Sequence, residues 1–408
     1  KQSLRDYFRT RHLMLFSRTA YLGVRQILPG RLERLRVADA QWTTVADRTI
    51  GDWIDQARMA TNAARSIDSL ADELDALLIQ SVKEMLPAGR PYAAVVSGGV
   101  DSSLLSHYLV TYGNPQVLVA VNNIGKDVIS SDLSGFEMSL GRKIDVLQID
   151  KAAYAAEIVR CQATCRSPLF AHSFITQSLQ SEFVQSTGCR VMFGGEGGDE
   201  YFGGYDAYLR DIDTSDDYSS SPYLAPVVPE VRFNYDDPST MLRDLREAWS
   251  NAQKAYASVA DQRARATLAM MYGDAAYQLP AVGLRCADLM SMMWSVETRS
   301  VLLRKEVIAF ALNLPLDARI DRAAESPNLR TKILLKKLFL RYYPELLLVK
   351  KQGFAGFPNE SAAYLGNLDD YMVFDMLGIQ RPVSPNQYNQ ATLWKLANLE
   401  YFLRARQA

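Results

Sequence analysis

The stretch Ser97-Gly98-Gly99-Val100-Asp101-Ser102-Ser103 holds the residue types that bind and manage an anion. Two glycines after an apolar run let the backbone turn tightly and present successive N–H groups. A helix opening behind them points its positive end at the same spot, which favours negative charge there. Three serine hydroxyls add donors, and the Asp101 carboxylate can hold a metal ion against phosphate oxygens. No Gly-Lys-Ser/Thr follows, so this is not a Walker A loop. An ordinary serine-capped turn between strand and helix would not need so many specified positions.

A second cluster runs Gly194-Gly195-Glu196-Gly197-Gly198-Asp199-Glu200-Tyr201-Phe202-Gly203-Gly204-Tyr205. It places three carboxylates on a glycine-rich loop. Asp101 and Asp199 are the pair that could converge on one or two Mg²⁺ ions, and Glu196 is suited to act as a base or a charge partner. Read alone, the cluster could be an acidic surface turn. Its partner cluster about ninety residues upstream argues for a site.

These residues need elements to position them. Leu70, Leu74, Leu77, Leu78, Val82 and Leu86 recur at helical spacing and predict an amphipathic helix. Tyr92 to Val96 reads as a buried strand running straight into the first cluster. Val117 to Val121 and Ile144 to Ile149 read as further strands with helix between them. A helix over about 171 to 186 leads into a strand at Arg190 to Phe193 and the second cluster. Short apolar strands alternating with helices predict an α/β fold, a parallel sheet with helices on both faces. Ligands in such folds bind at the carboxyl ends of strands, where both glycine clusters fall. Residues 206 to 240 are polar and read as a long loop, and 240–408 as mostly helical with no repeated strand signal.

Bulk properties narrow the function. The 408 residues carry a formal net charge of -1, without the basic excess of a nucleic-acid binder. The four cysteines, Cys161, Cys165, Cys189 and Cys286, are too few for a disulfide framework in a chain this long and read as buried structural thiols. No window approaches the roughly 18 apolar residues of a membrane-spanning helix, and no secretory segment follows Lys1. No membrane partner and a cytoplasmic location are therefore expected, and the missing initiator Met raises a longer parent chain.

The first cluster resembles the PP-loop of N-type ATP pyrophosphatases, which split ATP into AMP and pyrophosphate. The second resembles the G-E-G-x-D-E-x-F-G-G-Y stretch of asparagine synthetases. Further segments follow in that family's order: Asp288-Leu289-Met290-Ser291-Met292, Ser295-Val296-Glu297-Thr298-Arg299, Lys332 at the head of a K-x-x-L-R-like helix, and Lys350-Lys351-Gln352-Gly353-Phe354. The resemblance covers about residues 65 to 405. It implies ATP and Mg²⁺ as cofactors, with Asp101 and Asp199 on the metal. Ser97, Gly98, Gly99, Asp101, Ser102, Ser103, Gly194 and Gly195 would hold ATP and pyrophosphate, and backbone at Val95 and Val121 would line an adenine pocket. Glu196 would face the reacting carboxyl and ammonia, and Lys332 would neutralise the leaving phosphates.

The implied activity is adenylation of a small-molecule carboxylate followed by amide formation with ammonia. Aspartate is the leading acceptor. A sugar uronate of surface polysaccharides, or intramolecular closure as in β-lactam synthetases and lasso-peptide cyclases, are the alternatives. Arg18 to Val24 and Leu28-Pro29-Gly30 look like the last strands of the family's glutaminase domain, so 1–60 reads as its remnant and 61–408 as the synthetase domain. The glutaminase's N-terminal cysteine has no counterpart here. Where the family has an acid and a proline this chain has Arg304 and Val301, and Lys336 stands at the K-x-x-L-R arginine, which puts the acceptor in question. RNA thiolation is disfavoured by the charge balance and the lack of a C-x-x-C pair, and a non-catalytic binding module by the filled ATP-site positions. A homodimer is left open.

Overall fold

A computed structural model describes residues 1–9, 16–123, 133–169, 171–210, 231–346 apart from 236 and 238, 367–382 and 387–405. Helix α1 (Gln2–Arg9) and the antiparallel hairpin of β1 (Arg31–Arg36) and β2 (Gln41–Asp47) precede α2 (Gln56–Ala63) and α3 (Ile67–Met85). The chain then alternates through β3 (Tyr92–Val95), α4 (Val100–Tyr112), β4 (Val117–Asn123), α5 (Leu133–Leu140) and β5 (Asp145–Ile149). It continues with α6 (Lys151–Cys165), α7 (Ser173–Ser186), β6 (Val191–Gly194) and the short α8 (Gly198–Phe202). Beyond that lie α9 (Ser239–Ala255), α10 (Gln262–Gly273), α11 (Arg285–Met292), β7 (Glu297–Ser300) and α12 (Lys305–Leu312). Helices α13 (Ile333–Tyr342), α14 (Met372–Leu377) and α15 (Gln390–Arg404) complete the described elements.

Strands β3 to β7 form one sheet of order β5-β4-β3-β6-β7, with each neighbouring pair parallel. Strand β3 lies at its centre, and its Ala93 and Ala94 are wholly buried, one on each face. A strand covered on both sides has no polar face to show, which explains its unbroken apolar run. From β3 the chain builds outward through β4 and β5, then returns to lay β6 on the other side. The strand order therefore reverses between β3 and β6, and in such sheets ligands bind at the carboxyl ends flanking that reversal. Both glycine clusters sit there.

Helices cover both faces, as expected. On one face α3, α4 and α13 enclose a core containing Leu74, Leu78, Leu105, Leu109, Leu335 and Leu338. Ser66 caps α3 by accepting the Ser69 N–H at 3.2 Å. Its Leu70, Leu74, Leu78 and Val82 are at most 2% exposed, each Leu contributing about 2 kcal/mol by leaving water. The opposite face packs Val184 and Phe183 of α7 against Val119 and Val95. A further core joins α1, α6, α14 and α15 through Tyr7, Phe8, Tyr154, Phe374 and Trp394.

Three features differ from the sequence reading. Strand β7 was not expected within the helical C-terminal part; its Glu-Thr-Arg-Ser has no apolar run. It is an edge strand held by backbone bonding to β6, with Glu297 and Arg299 paired at 3.0 Å on its rim. Arg18 to Val24 form turns braced by Thr19 Oγ1, and the hairpin strands begin only after Gly30. Between α10 and α11 the helix widens into a π-helix, Asp274–Leu284, which carries Pro280 inside it. The loop expected over 206–240 begins as a 3₁₀ turn, Asp206–Leu209, and most of it lies outside the described residues. All four cysteines are free; Cys161, Cys189 and Cys286 are buried, and burial pushes the Cys165 thiol up to about 12. Among the described residues no helix is long and apolar enough to cross a membrane.

Candidate active site

At the end of β3 the Ser97–Ser103 loop closes on itself through its hydroxyls. The Ser97 N–H donates to Ser102 Oγ at 2.9 Å, the Ser97 and Ser102 hydroxyls lie 2.9 Å apart, and Ser102 Oγ donates to the Gly99 carbonyl at 3.2 Å. Gly98 adopts φ +76, the left-handed region open to glycine. Gly99 then starts α4, so Asp101 lies in its first turn, where the helix dipole favours a carboxylate. Ser102 and Ser103 are both 5% exposed.

At the end of β6 the second cluster makes a matching turn. Gly197, at φ +91, starts α8, whose first turn carries Asp199 and Glu200. The two clusters touch: a Cβ on Gly198 would lie 2.5 Å from Asp101 Cγ, and one on Gly195 would lie 3.4 Å from Asp101 Cβ. The glycines between the carboxylates are thus the condition for bringing Asp101 and Asp199 together.

Lys332 completes the group from a third direction. It precedes α13 in a left-handed conformation, φ 53 and ψ 41, which costs a non-glycine residue roughly 1 kcal/mol or more. Its N–H donates to the Gly203 carbonyl at 3.3 Å, and its ammonium pairs with Asp199 Oδ1 at 2.7 Å and with Asp101 Oδ2. Lys332 is 4% exposed. Packing here is close enough that a Cβ on Gly204 would meet Asp199 Oδ1 at 1.9 Å and Lys332 Cε at 2.3 Å. Gly204→Ala should therefore push the pair apart and, as overpacking does, lower stability by about 1–3 kcal/mol, which thermal melts measure.

Two carboxylates against one ammonium leave an excess negative charge. Asp101 Oδ1 is buried with no hydrogen-bond partner, an oxygen that a cation would satisfy. Among the described residues no group of three or more metal-ligating side chains forms a cage of its own. Mg²⁺ bound beside a nucleotide uses one or two carboxylates together with phosphate oxygens, so the residues present fit that ion.

Glu196 is half-buried, and its Oε2 is also buried without a hydrogen-bond partner. Its carboxylate folds back over Gly194, where a Cβ would meet Glu196 Oε2 at 2.4 Å. Burial raises its pKa, so it holds a proton more readily than a solvated glutamate does. Ser300 Oγ donates to the Glu196 carbonyl at 2.7 Å and pins the loop to β7. Ser300 lies one position beyond the Ser295–Arg299 segment, and no spacing in the sequence singles it out.

Glu200 is likewise not singled out by its position in the sequence. It is 6% exposed, accepts the Tyr205 hydroxyl at 2.5 Å, and burial pushes it up to about 7. A carboxyl raised on folding is protonated more in the folded than in the unfolded state between its ordinary value near 4.5 and about 7. Stability should therefore fall as pH rises through that window. Glu200→Gln should remove this part of the slope in thermal melts taken from pH 4.5 to 7.5.

Other expected residues lie farther out. Val95 and Val121 sit on β3 and β4 near their carboxyl ends, on the sheet face opposite α4, in register through Val119. Arg304 pairs with Glu84 at the end of α3 and with Glu306 at 3.8 Å, so its guanidinium is committed to surface carboxylates. Lys336 is buried one turn beyond Lys332 and donates to the Asn328 carbonyl at 2.6 Å and to Thr331 Oγ1 at 3.1 Å. Arg299 is tied to Glu297 and the Met85 carbonyl, and Asp288 is exposed. Lys350 to Phe354 lie outside the described residues.

The sequence matches the family described as Asparagine synthase over residues 73–399. It is 27% identical over 219 residues to Amidase chyE of Penicillium rubens, covering 50% of this chain and 32% of that protein. It is 28% identical over 171 residues to Amidase chry2 of Gibberella zeae, covering 38% of this chain and 26% of that protein. The matched stretches thus span about a third or less of these relatives.

Proposed function

The chain belongs to the asparagine synthase family, and from that premise we propose that it is an AMP-forming, ATP-dependent amide ligase. The observation that carries this reading is the meeting of Asp101, Asp199 and Lys332 at the carboxyl ends of β3 and β6. Both curated relatives are named amidases, which keeps amide chemistry in common.

A carboxylate is a poor electrophile at neutral pH, so it must first gain a leaving group. In the proposed first step the acceptor's carboxylate oxygen attacks the α-phosphorus of ATP, and the bond to the bridging oxygen breaks to release pyrophosphate. The N–H groups and hydroxyls of Ser97–Ser103 hold the departing phosphates. Lys332, whose ammonium pairs with both Asp101 and Asp199, is near enough to neutralise the phosphate charge. Gly194 and Gly195 let backbone approach closely, and the strand ends at Val95 and Val121 line the adenine. Mg²⁺, when held by Asp101 and Asp199, would offset phosphate charge and orient the phosphoryl oxygens.

In the second step ammonia attacks the acyl carbon, and the carbon–oxygen bond to AMP breaks. Glu196 accepts the proton that the attacking nitrogen sheds. Its buried, unsatisfied Oε2 and raised affinity for a proton suit that task. Aspartate is the acceptor we propose, and ammonia would come from a glutaminase-like domain or from solution.

A panel of acids incubated with ATP, Mg²⁺ and ammonium, read by pyrophosphate release, tests this. Release with aspartate and formation of asparagine supports the full reading. Release with a uronate alone moves the acceptor and keeps the ligase. No release with any acid, from protein that binds ATP, overturns it.

A further inference from the structure

Arg319 is 1% exposed, and among the described residues no carboxylate pairs with it. Its guanidinium is instead spread over three carbonyls. Nη1 donates to Tyr201 O at 3.3 Å, and Nη2 donates to Leu312 O and Leu314 O at 3.1 Å each. Burial lowers its pKa, as expected for a charge kept from water without a counter-ion. An apolar side chain would fill this space at less electrostatic cost. What the arginine adds is a set of directional links.

Those links run to both sides of the site. Tyr201 lies in α8, two positions after Asp199. The backbone of Arg319 holds the other side, since the Ile333 N–H donates to Arg319 O at 3.0 Å, and Ile333 directly follows Lys332. Gly203 lies between them. A Cβ there would be 3.2 Å from Arg319 Cβ, and the Gly203 carbonyl accepts the Lys332 N–H at 3.3 Å. One residue therefore grips the helix that carries Asp199 with its side chain and the turn that carries Lys332 with its backbone.

We propose that Arg319 is a positioning residue, which fixes α8 against the Lys332 turn so that the Lys332 ammonium meets Asp199. Its guanidinium donates to backbone carbonyls and acts through Asp199 and Lys332, and its effect on turnover rests on the ligase reading. The geometric part stands without it.

The test compares Arg319→Met, Arg319→Lys and Leu396→Ala, the last a wholly buried residue of the core around α14 and α15. Arg319→Met should lower kcat for pyrophosphate release about 100-fold, the scale of an ångström's misplacement, with KM for ATP changed less than about 3-fold. Arg319→Lys, which keeps the charge and can still reach a carbonyl, should recover part of kcat. Leu396→Ala, melting at a similarly reduced temperature, should keep kcat near the wild-type value. Equal loss in Leu396→Ala overturns the proposal because stability alone would then explain the effect, and undiminished kcat in Arg319→Met overturns it because the positioning then has no consequence for turnover. Crystal structures of wild type and Arg319→Met give a reading free of turnover. Withdrawal of Lys332 Nζ from Asp199 Oδ1, here 2.7 Å away, supports the positioning role, and an unchanged contact overturns it. A wild-type protein without ATP turnover would count against the ligase reading alone, leaving the crystal comparison to decide the positioning.

Discussion

Asp101→Asn is expected to reduce ATP-dependent pyrophosphate release about 1,000-fold while leaving a folded protein. The reasoning begins with the charge at the strand ends. Asp101 and Asp199 share the Lys332 ammonium, and Asp101 Oδ1 has no other partner. The amide keeps the shape but removes one of the two charges that would hold a cation against phosphate. Loss of a single preorganised electrostatic group in a dry site commonly costs about 100- to 1,000-fold, and here the cation's anchoring is lost with it. Stability should change little, because Lys332 keeps Asp199 and the first turn of α4 keeps its serine hydroxyl contacts. Pyrophosphate release and thermal melts on the same preparation read both quantities. Activity within about tenfold of wild type would remove Asp101 from the chemistry.

Lys332→Met should act on both activity and stability. The substitution leaves two buried carboxylates facing each other with no cation between them. Removing one partner of a buried ion pair typically costs about 3–5 kcal/mol, much of it the burden of the unpaired charge left behind. Release of the left-handed strain at Lys332 returns nothing, since methionine inherits the same backbone. Turnover should fall about 100- to 1,000-fold through loss of the charge that meets departing phosphate. A second reading separates the two effects. Millimolar Mg²⁺ should raise the melting temperature of the variant more than that of the wild type, because only the variant presents both carboxylates uncompensated. Equal shifts would mean that the two aspartates do not act as one cation site.

Much of this arrangement could be read from local sequence. Strands β3 and β6 are short apolar runs because both their faces are covered, and each ends in a stretch whose glycines and serines have no use inside a regular element, whereas the edge strand β5 alternates buried and exposed residues. Strand β7 escaped because an edge strand needs only backbone pairing, and Glu-Thr-Arg-Ser supplies that with no apolar signature. The hairpin of β1 and β2 escaped for a similar reason, being largely exposed. Asp101, Asp199 and Glu196 were legible because each stands inside a glycine cluster. Lys332 was not legible from its surroundings, since a lysine opening an amphipathic helix is ordinarily solvated. Its role depends on a left-handed turn and on the Gly203 carbonyl, contacts made across more than a hundred residues of chain. Only the resemblance pointed to it. Glu200, Ser300 and Arg319 take their parts from tertiary burial alone, and no spacing announces that.

The most direct measurement follows the oxygen atoms. The acid giving the strongest pyrophosphate release is labelled with ¹⁸O in its carboxylate and turned over with ATP and ammonium. Adenylation transfers one labelled oxygen to the phosphate of AMP as the amide forms, and mass spectrometry of the nucleotide should find it there. Label in inorganic phosphate with ADP as the nucleotide product, or unlabelled AMP, would contradict attack by the carboxylate at the α-phosphorus.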